Sequence, residues 1–176
     1  MNYEAFASRA LVAALNAELL DRYDGFDGSG GEQVAAAFEP PDGAFVVGWD
    51  GEEPVACGGV IRYDETTAEI RRMYVAPSAR GRGLSRAVLA ALEDEARQLG
   101  YEFVRLETGD RQPEAIKLYA SSGFEPIPRY GPFVDDPRSE AGPQPAHHAA
   151  PRRMGCGRRA CRDHEVGLGR AVTFEQ

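Results

Sequence analysis

The stretch that decides the fold is residues 69–85, which read EIRRMYVAPSARGRGLS. Its first part is rich in β-branched and aromatic side chains, which predicts a strand over 69–75. Its second part alternates arginine with glycine, and apolar residues then recur at helical spacing: Leu84, Val88, Leu92 and Leu99. A second apolar run, FVRLET, follows at 103–108. Strand, glycine turn, long helix and strand form a crossover unit, so the two strands are predicted to lie parallel.

Three strand-like runs separated by turn residues predict an antiparallel meander upstream of this unit. They read GAFVVGW at 43–49, EPVACGGVIRY at 53–63 and AEIRRMYV at 68–75. The other predicted elements are a helix over 4–23, a short helix over 32–38, a helix over 112–123 and a short strand over 124–127. The fold class is therefore α+β, a mixed α/β arrangement with helices on both faces of one central mixed sheet.

Charge and hydropathy exclude several classes of function. The chain of 176 residues carries 20 basic and 28 acidic side chains, a net charge of −8 that argues against nucleic-acid binding. No apolar run approaches the length of about 18 residues that crosses a bilayer, and no secretory signal is visible, so no membrane partner is expected. Three cysteines, an odd number, suit a reducing cytoplasm.

The segment Arg80–Ser85, RGRGLS, predicts an anion site. It places two guanidinium groups and bare backbone N–H groups at the start of a helix, where the helix dipole also favours negative charge. The pattern is neither a Walker loop nor a Rossmann fingerprint. On the glycine pattern alone, a generic turn before a helix is an equally good interpretation.

The same residues resemble the acetyl-CoA signature of the GNAT superfamily of N-acetyltransferases, Arg/Gln-x-x-Gly-x-Gly/Ala after a strand. This chain has Arg80-Gly81-Arg82-Gly83-Leu84-Ser85, with Ser85 where Gly or Ala is usual. The later segment PEAIKLYASSGF resembles a second family motif, and the two occur in the expected order. The resemblance runs from about residue 4 to 136 and implies a GNAT-like sheet, in which the antiparallel meander is followed by a parallel pair that splays apart.

The resemblance implies acetyl-CoA as cosubstrate and no resident metal. The pantetheine arm would lie along the backbone of Met73, Tyr74 and Val75 in the gap between the splayed strands. Gln112, where the family often has Asn, would supply an amide contact, and Tyr119 would face the thioester sulfur. The pyrophosphate would be held by Arg80, Gly81, Arg82, Gly83, Leu84 and Ser85.

The implied reaction is direct attack by an unprotonated amine on the acetyl group within a ternary complex. Tyr119 matches the family tyrosine that acts as general acid toward the departing thiolate. The alternative is that Tyr119 is a packed aromatic side chain beside Leu118.

A base must also take a proton from the amine, and an N–H group must stabilise the oxyanion. Glu69 is the candidate base, with a structural ion pair to Arg71 or Arg72 as the competing interpretation and Glu107 as a second candidate. The backbone N–H of Val75 or of its neighbour is the candidate oxyanion donor.

The acceptor is expected to be a small-molecule amine. Tyr23, Asp24 and Phe133 are predicted to line its site, because aromatic walls with carboxylates suit a small cation. A solvated acidic surface is the alternative. The sequence does not fix the oligomeric state, and a homodimer stays open.

The chain divides at about residue 136 into two unlike parts. Residues 1–136 form the predicted acetyl-CoA-dependent N-acetyltransferase domain, with a charge balance of −11. Residues 137–169 contain almost no large apolar side chain and are predicted to be a disordered tail or insertion, while 170–176, RAVTFEQ, would be a displaced last strand.

Two further interpretations of the tail stay open. One is a zinc site built from His147 or His148, Cys156, Cys161 and His164, although the spacing is irregular. The other is that the basic, proline-rich and alanine-rich composition comes from a GC-rich gene read out of frame.

The sequence favours an N-acetyltransferase that acetylates a primary amine of a small molecule. Two alternatives share the fold: a non-catalytic acyl-CoA-binding or regulatory module, and a protein N-acetyltransferase with a peptide groove.

Overall fold

The structure, a computed structural model, describes residues 6–24, 35–127, 130, 147–153 and 171–173. The helices are α1 (Phe6–Arg22), α2 (Leu84–Gln98) and α3 (Pro113–Ser121), with short 3₁₀ turns at Ala35–Phe38 and Pro77–Ala79. The strands are β1 (Ala44–Asp50), β2 (Glu53–Arg62), β3 (Thr67–Val75), β4 (Phe103–Thr108), β5 (Pro126–Ile127), β6 (His147–Arg153) and β7 (Ala171–Thr173). No helix in these ranges is both long and apolar enough to span a bilayer.

The strands form one mixed sheet in the order β5-β6-β4-β3-β2-β1-β7. Strands β1, β2 and β3 pair antiparallel, and β3 pairs parallel with β4 across the helix α2. The predicted meander and crossover unit are both confirmed. The crossover brings the end of β3, the glycine loop and the start of α2 to one end of the sheet.

Helices cover both faces of the sheet, as predicted. Alternation along each strand sends one set of apolar side chains toward α2 and the other toward α1. On the α2 face the core includes Val46, Val60, Ile70, Val88, Leu92, Val104 and Leu106. On the α1 face it includes Leu11, Val12, Phe38, Phe45, Val47, Cys57, Ile61 and Tyr74.

A β-bulge interrupts β3. The last residues of the strand therefore face the opposite side of the sheet from the one that regular alternation would give them. Gly58 of β2 lies opposite two residues of β3, Arg72 and Met73, and Arg72 adopts a φ of +59°. Positive φ is unusual for a side-chain-bearing residue and often accompanies functional sites. Because of the extra residue, Met73 packs against the α2-face core while Tyr74 joins the α1-face core. A Cβ at Gly58 would lie 2.7 Å from Cδ1 of Leu92, so a larger residue there would force the buried Leu92 side chain to shift.

The parallel pairing of β3 with β4 ends just before the bulge, which is compatible with the splayed pair that the GNAT resemblance implies. The register between β3 and β4 runs from Thr67 opposite Phe103 to Ile70 opposite Leu106. Residues 71–75 of β3 have no partner in β4 within that register. One edge of β3 therefore opens into a gap beside the glycine loop.

Two segments of the predicted tail lie in the sheet. Residues 147–153 form β6, which pairs antiparallel with β4 on one side and β5 on the other. They lie within the stretch 137–169, for which a disordered tail or insertion stays a prediction. Hydrogen bonds to both neighbouring strands pair the backbone N–H and C=O groups of β6 without any large apolar side chain. The prediction from composition did not consider this contribution. Residues 171–173, within the predicted last strand, pair parallel with β1 at the opposite edge. The rest of the predicted tail lies outside the described residues.

Candidate active site

The glycine loop forms the start of α2 in the geometry that anion binding needs. Gly81 and Gly83 have φ values of +78° and +81°, which glycine adopts without strain. Gly83 is the N-cap residue and supplies no side-chain hydrogen bond, so the first N–H groups of the helix are not capped by it. A Cβ at either glycine would meet nothing within 4 Å, so the space over the loop is open.

Both arginines of the loop are held by carboxylates that sequence reasoning missed. Arg80 donates from Nη2 to Oε2 of Glu18 (2.6 Å) and from Nε to the carbonyl of Val75 (3.0 Å). Arg82 donates from Nη1 to Oδ2 of Asp50 (2.5 Å). Glu18 lies on α1 and Asp50 at the end of β1, so no local pattern in the sequence could have connected them with the loop.

Tyr119 is brought to the open edge of β3 by the packing of α3. Its hydroxyl donates to Sδ of Met73 at 3.6 Å, and its ring meets that of Phe124 at 5.8 Å between centroids. Burial raises the pKa of this phenol to about 12. The side chain is thus a packed aromatic, as the alternative held, and its hydroxyl, which is protonated at neutral pH, lies against Met73 of β3.

Glu69 is a buried carboxylate at the centre of a polar cluster on the α1 face. Only 4% of the residue is exposed. The Tyr130 hydroxyl donates to Oε1 (3.0 Å), and Arg71 donates from Nη2 to Oε2 (3.1 Å). The ion pair with Arg71 that competed with a base role is therefore formed.

Arg105 extends this cluster from β4. Its guanidinium lies 3.2 Å from the ring centroid of Tyr130 and 3.9 Å from that of Tyr63. Arg105 is opposite Glu69 in the parallel register. Sequence reasoning missed it, although alternation along FVRLET places it on the face opposite Val104 and Leu106 and so marks it as facing away from the α2 core.

Tyr23 and Asp24 lie at the end of α1, fastened to the loop between β4 and α3. The phenol of Tyr23 accepts the backbone N–H of Arg111 (3.0 Å), and Asp24 pairs with the Arg111 guanidinium (3.7 Å). Burial raises the pKa of Tyr23, opposed by hydrogen bonds with Gln112 and Arg111. Contacts in the described part of the chain do not join Tyr23 or Asp24 to Glu69.

The structure leaves some predicted residues undecided. The side chain of Gln112 contacts Tyr23, and its predicted amide contact to the cosubstrate stays a prediction. Phe133 lies outside the described residues.

Cys57 is a fully buried small residue. Its thiol donates to the carbonyl of Arg72 (3.5 Å), and burial raises its pKa to about 12. A thiol in that state is a poor nucleophile, because the thiolate is the reactive form.

The zinc interpretation of the tail finds no support in the residues that the structure describes. Within those ranges no group of three or more His, Cys, Asp or Glu side chains is placed to hold a metal ion. Cys156, Cys161 and His164 lie outside those ranges.

Sequence comparison connects this architecture with known proteins. Residues 11–124 match the Acetyltransferase (GNAT) family. Over 100 residues the chain is 39% identical to the IAA acetyltransferase of Azospirillum brasilense, covering 56% of this chain and 65% of that protein. Over 101 residues it is 34% identical to YsnE, an uncharacterized N-acetyltransferase of Bacillus subtilis (strain 168), covering 56% of this chain and 67% of that protein. The matched part thus spans about two thirds of the length of these relatives.

Solved structures share the fold over most of the chain. A protein of Klebsiella pneumoniae described as an acyl-CoA N-acyltransferase superposes with a TM-score of 0.67 at 28% identity, covering 86% of this chain and 93% of that one. A GNAT acetyltransferase of Staphylococcus aureus Mu50 superposes with a TM-score of 0.62 at 18% identity, covering 86% and 96%, and at that identity it shows the fold alone. With the family match, the splayed strands and the glycine loop in agreement, the chain belongs to the GNAT family of acetyltransferases.

Proposed function

We propose that the chain transfers the acetyl group of acetyl-CoA to a primary amine of a small molecule, by direct attack within a ternary complex. One observation carries this proposal. The β3–β4 register ends at Ile70, and the stretch Met73–Val75 beyond it runs from the Tyr119 hydroxyl, which contacts Met73, to the residues just before the glycine loop. This arrangement supports the proposal that an extended thioester arm, a pyrophosphate and a proton donor meet at this edge of β3.

The residues at the gap fit acetyl-CoA, the cosubstrate of the GNAT family. Open space over Gly81 and Gly83 admits a bulky anion, and uncapped N–H groups at the start of α2 favour it. Backbone groups of Met73–Val75 offer a strand edge to which an extended amide-containing arm can add hydrogen bonds. When bound there, acetyl-CoA supplies an activated acetyl thioester.

Tyr119 is proposed to hold the proton that the departing sulfur needs. Its pKa of about 12 keeps the phenol protonated throughout the physiological range. An ordinary thiol has a pKa of about 8.5, so complete transfer of the phenol proton to a free thiolate is uphill by about 5 kcal/mol. The phenol therefore acts mainly by donating a strong hydrogen bond while negative charge develops on the sulfur.

Glu69 is proposed to accept the proton of the attacking amine, directly or through a water molecule. Its two oxygens are fixed by Tyr130 and Arg71, so the carboxylate is oriented before any substrate arrives. Glu107, on β4, remains the second candidate. The backbone N–H of Val75 or its neighbour is proposed to stabilise the oxyanion.

Direct transfer rather than an acyl-enzyme is favoured by the state of Cys57. This thiol is fully buried and its pKa is raised to about 12, so it is not activated to accept an acetyl group.

The test is to titrate acetyl-CoA into the protein and then to follow free CoA release with a panel of small amines. We expect saturable binding and amine-dependent CoA release, with the amine-free reaction as the background. Binding without turnover on any amine or peptide would instead establish a non-catalytic acyl-CoA-binding module. Turnover confined to peptides with free N-termini would establish a protein N-acetyltransferase.

A cytoplasmic location is proposed as well, and the oligomeric state, for which a homodimer is one possibility, is left to experiment. The free, buried thiol of Cys57 suits a reducing compartment, which cell fractionation would test. Sedimentation of the purified protein would decide between monomer and homodimer.

A further inference from the structure

Arg80 contacts the α1 side of the sheet, although it belongs to the glycine loop. Its Nη2 donates to Oε2 of Glu18 on α1 (2.6 Å), and its guanidinium lies 5.8 Å from the ring centroid of Tyr74, which packs in the α1-face core. The proposed pyrophosphate site is the start of α2, a helix that covers the other face. The side-chain contacts of Arg80 among the described residues are thus with α1 and β3.

The contact of Arg80 with β3 fixes the last peptide of that strand. Its Nε donates to the carbonyl of Val75 (3.0 Å), and the N–H of the same peptide, that of Ala76, donates to the carbonyl of Val55 on β2 (2.8 Å). Both sides of the peptide are therefore held.

The backbone groups of Val75 itself point to the open edge of β3. Val75 lies opposite Ala56, and the bond from Ala76 to Val55 makes this a pair of the kind whose own N–H and C=O groups do not face each other. These groups of Val75 point instead to the edge where the register with β4 has ended. Arg80 therefore holds the residue whose N–H is the candidate oxyanion donor.

Glu18 in turn fixes Arg80. Its Oε2 accepts from Arg80 and its Oε1 accepts from Arg22, both at 2.6 Å, and Arg22 also pairs with Glu114 at the start of α3. One chain of alternating charges thus joins the glycine loop, the last turn of α1 and the helix that carries Tyr119. A planar guanidinium that is engaged through both Nε and Nη2 has a fixed orientation.

A phosphate bound by Arg80 would break this arrangement. The edge of the guanidinium that meets Glu18 is also the edge that holds Val75, so turning it toward a phosphate would release the strand end. If Glu18 merely competed with a phosphate for Arg80, removing the charge of Glu18 would free the guanidinium and tighten acetyl-CoA binding. The two roles of Arg80 therefore differ in the sign of a measurable effect.

We propose that Glu18 and Arg80 are positioning residues for the thioester end of the gap: Glu18 holds Arg80, and Arg80 holds Val75 at the edge where the acetyl group would react. The inference rests on the proposed function and deepens it. It leaves the pyrophosphate to Gly81–Ser85 and so narrows the sequence-based expectation, which counted Arg80 among the pyrophosphate ligands.

The experiment compares acetyl-CoA with S-acetylpantetheine, which has the same thioester arm without the pyrophosphate and the nucleotide. We expect Arg80→Lys and Glu18→Gln each to lower kcat about 3- to 10-fold, the effect of about one hydrogen bond, and by the same factor on both thioesters. Arg80→Lys keeps the positive charge that attracts a phosphate and loses the planar fork. The dissociation constant of acetyl-CoA should stay within about threefold of the wild-type value in both variants.

A double variant tests whether Glu18 acts through Arg80. If it does, Glu18→Gln combined with Arg80→Lys should be no slower than Arg80→Lys alone, because the effects of residues in one contact chain do not add. A purely structural role of the ion pair would lower stability without this pattern in kcat.

Asp94→Asn and Arg97→Lys are the matched controls, because Asp94 and Arg97 form an exposed ion pair on α2 and the substitutions make the same changes of charge. Both should have the kcat and the acetyl-CoA affinity of the wild type. Arg80 and Glu18 are themselves partly exposed, and such ion pairs contribute little to stability, so the variants are expected to fold. Urea unfolding of each variant checks this.

Four results would overturn the inference while leaving the acetyltransferase function standing. They are an unchanged kcat in both single variants, tighter acetyl-CoA binding by Glu18→Gln, a loss confined to acetyl-CoA, and additive effects in the double variant. If S-acetylpantetheine reacts too slowly to measure, kcat and affinity with acetyl-CoA and the double variant decide. Absence of turnover by the wild type on every amine would overturn the proposed function itself, and this inference with it.

Discussion

Replacing Tyr119 by phenylalanine removes a single hydroxyl from the gap beside β3. Among the described residues this hydroxyl donates to Sδ of Met73, at 3.6 Å, and a thioether sulfur is a weak acceptor. The ring keeps its edge contact with Phe124. We therefore expect Tyr119→Phe to change the free energy of unfolding near pH 7 by less than about 1 kcal/mol.

The expected effect on turnover is larger. A hydrogen bond to a charged acceptor contributes about 1.5–3 kcal/mol, which corresponds to a loss in kcat of about 10- to 150-fold. Complete proton transfer from a phenol with a pKa of about 12 to a thiolate is unfavourable, so the largest effects of general-acid catalysis are not expected. The affinity for acetyl-CoA should change by less than about threefold, since most of the contacts proposed above lie elsewhere.

The assay measures kcat by CoA release and the dissociation constant of acetyl-CoA by calorimetry for the two proteins. Tyr101→Phe is the matched control, because the Tyr101 hydroxyl donates to the carbonyl of Asp42 before β1 (2.9 Å) and has no part in the proposed chemistry. Its kcat should equal that of the wild type. An unchanged kcat in Tyr119→Phe would refute the role of this phenol, as would a loss of activity that Tyr101→Phe reproduces.

Three further perturbations test the site. Gly83→Val should weaken acetyl-CoA binding at least 100-fold, because a β-branched residue does not tolerate the φ of +81° at this position. The control Gly51→Val, at a φ of +60° in the turn between β1 and β2, should bind acetyl-CoA normally. Calorimetry compares the two variants, and tight binding by Gly83→Val would contradict the pyrophosphate assignment. Glu69→Gln should lower kcat about 100-fold or more with acetyl-CoA affinity unchanged, because a general base accelerates a reaction by about 10²- to 10⁴-fold. A steady-state rate near that of the wild type would exclude Glu69 as the base. In alkali, the unfolded chain loses the Tyr119 proton near pH 10 while the folded chain keeps it to about pH 12, so the free energy of unfolding falls as pH rises through that window. Urea unfolding at a series of pH values should show the wild type losing up to about 3 kcal/mol more than Tyr119→Phe. The same dependence of unfolding free energy on pH in both proteins would contradict the raised pKa.

The fold around β3 could be predicted because its determinants are local. Strand composition, the Arg80–Ser85 loop and the apolar stripe of α2 lie within one continuous segment, and the crossover rule then fixes the parallel pairing. The helix α3, which carries Tyr119, was expected from the resemblance of its sequence to a family motif, and the role of Tyr119 stays a prediction.

The rest of the site depends on contacts that no local pattern encodes. The bulge at Arg72 places a non-glycine residue at positive φ, and only the Gly58–Gly59 pair on the neighbouring strand marks a close approach. Glu18 and Asp50 reach the loop arginines from elements far along the chain. Arg105 contacts the rings of Tyr63 and Tyr130, which are distant from it in the sequence, so this cluster becomes visible only in three dimensions.

The strand β6 shows that amino-acid composition alone does not predict whether a segment joins a sheet. Its residues lack large apolar side chains, yet each edge of this strand has a neighbour. Low hydrophobicity predicts that a segment cannot fold alone, and it does not predict whether a pre-existing sheet edge will take that segment up.

The measurement that tests the central claim most directly uses acetyl-CoA labelled in its acetyl group, incubated with the protein and an amine that stimulates CoA release. Mass spectrometry then follows both the amine and the intact protein. Direct transfer in a ternary complex predicts one labelled acetyl group on the amine nitrogen for each CoA released, and no label on the protein at any time. Released CoA without a labelled amine, or a labelled protein that passes its acetyl group on to the amine, would contradict it.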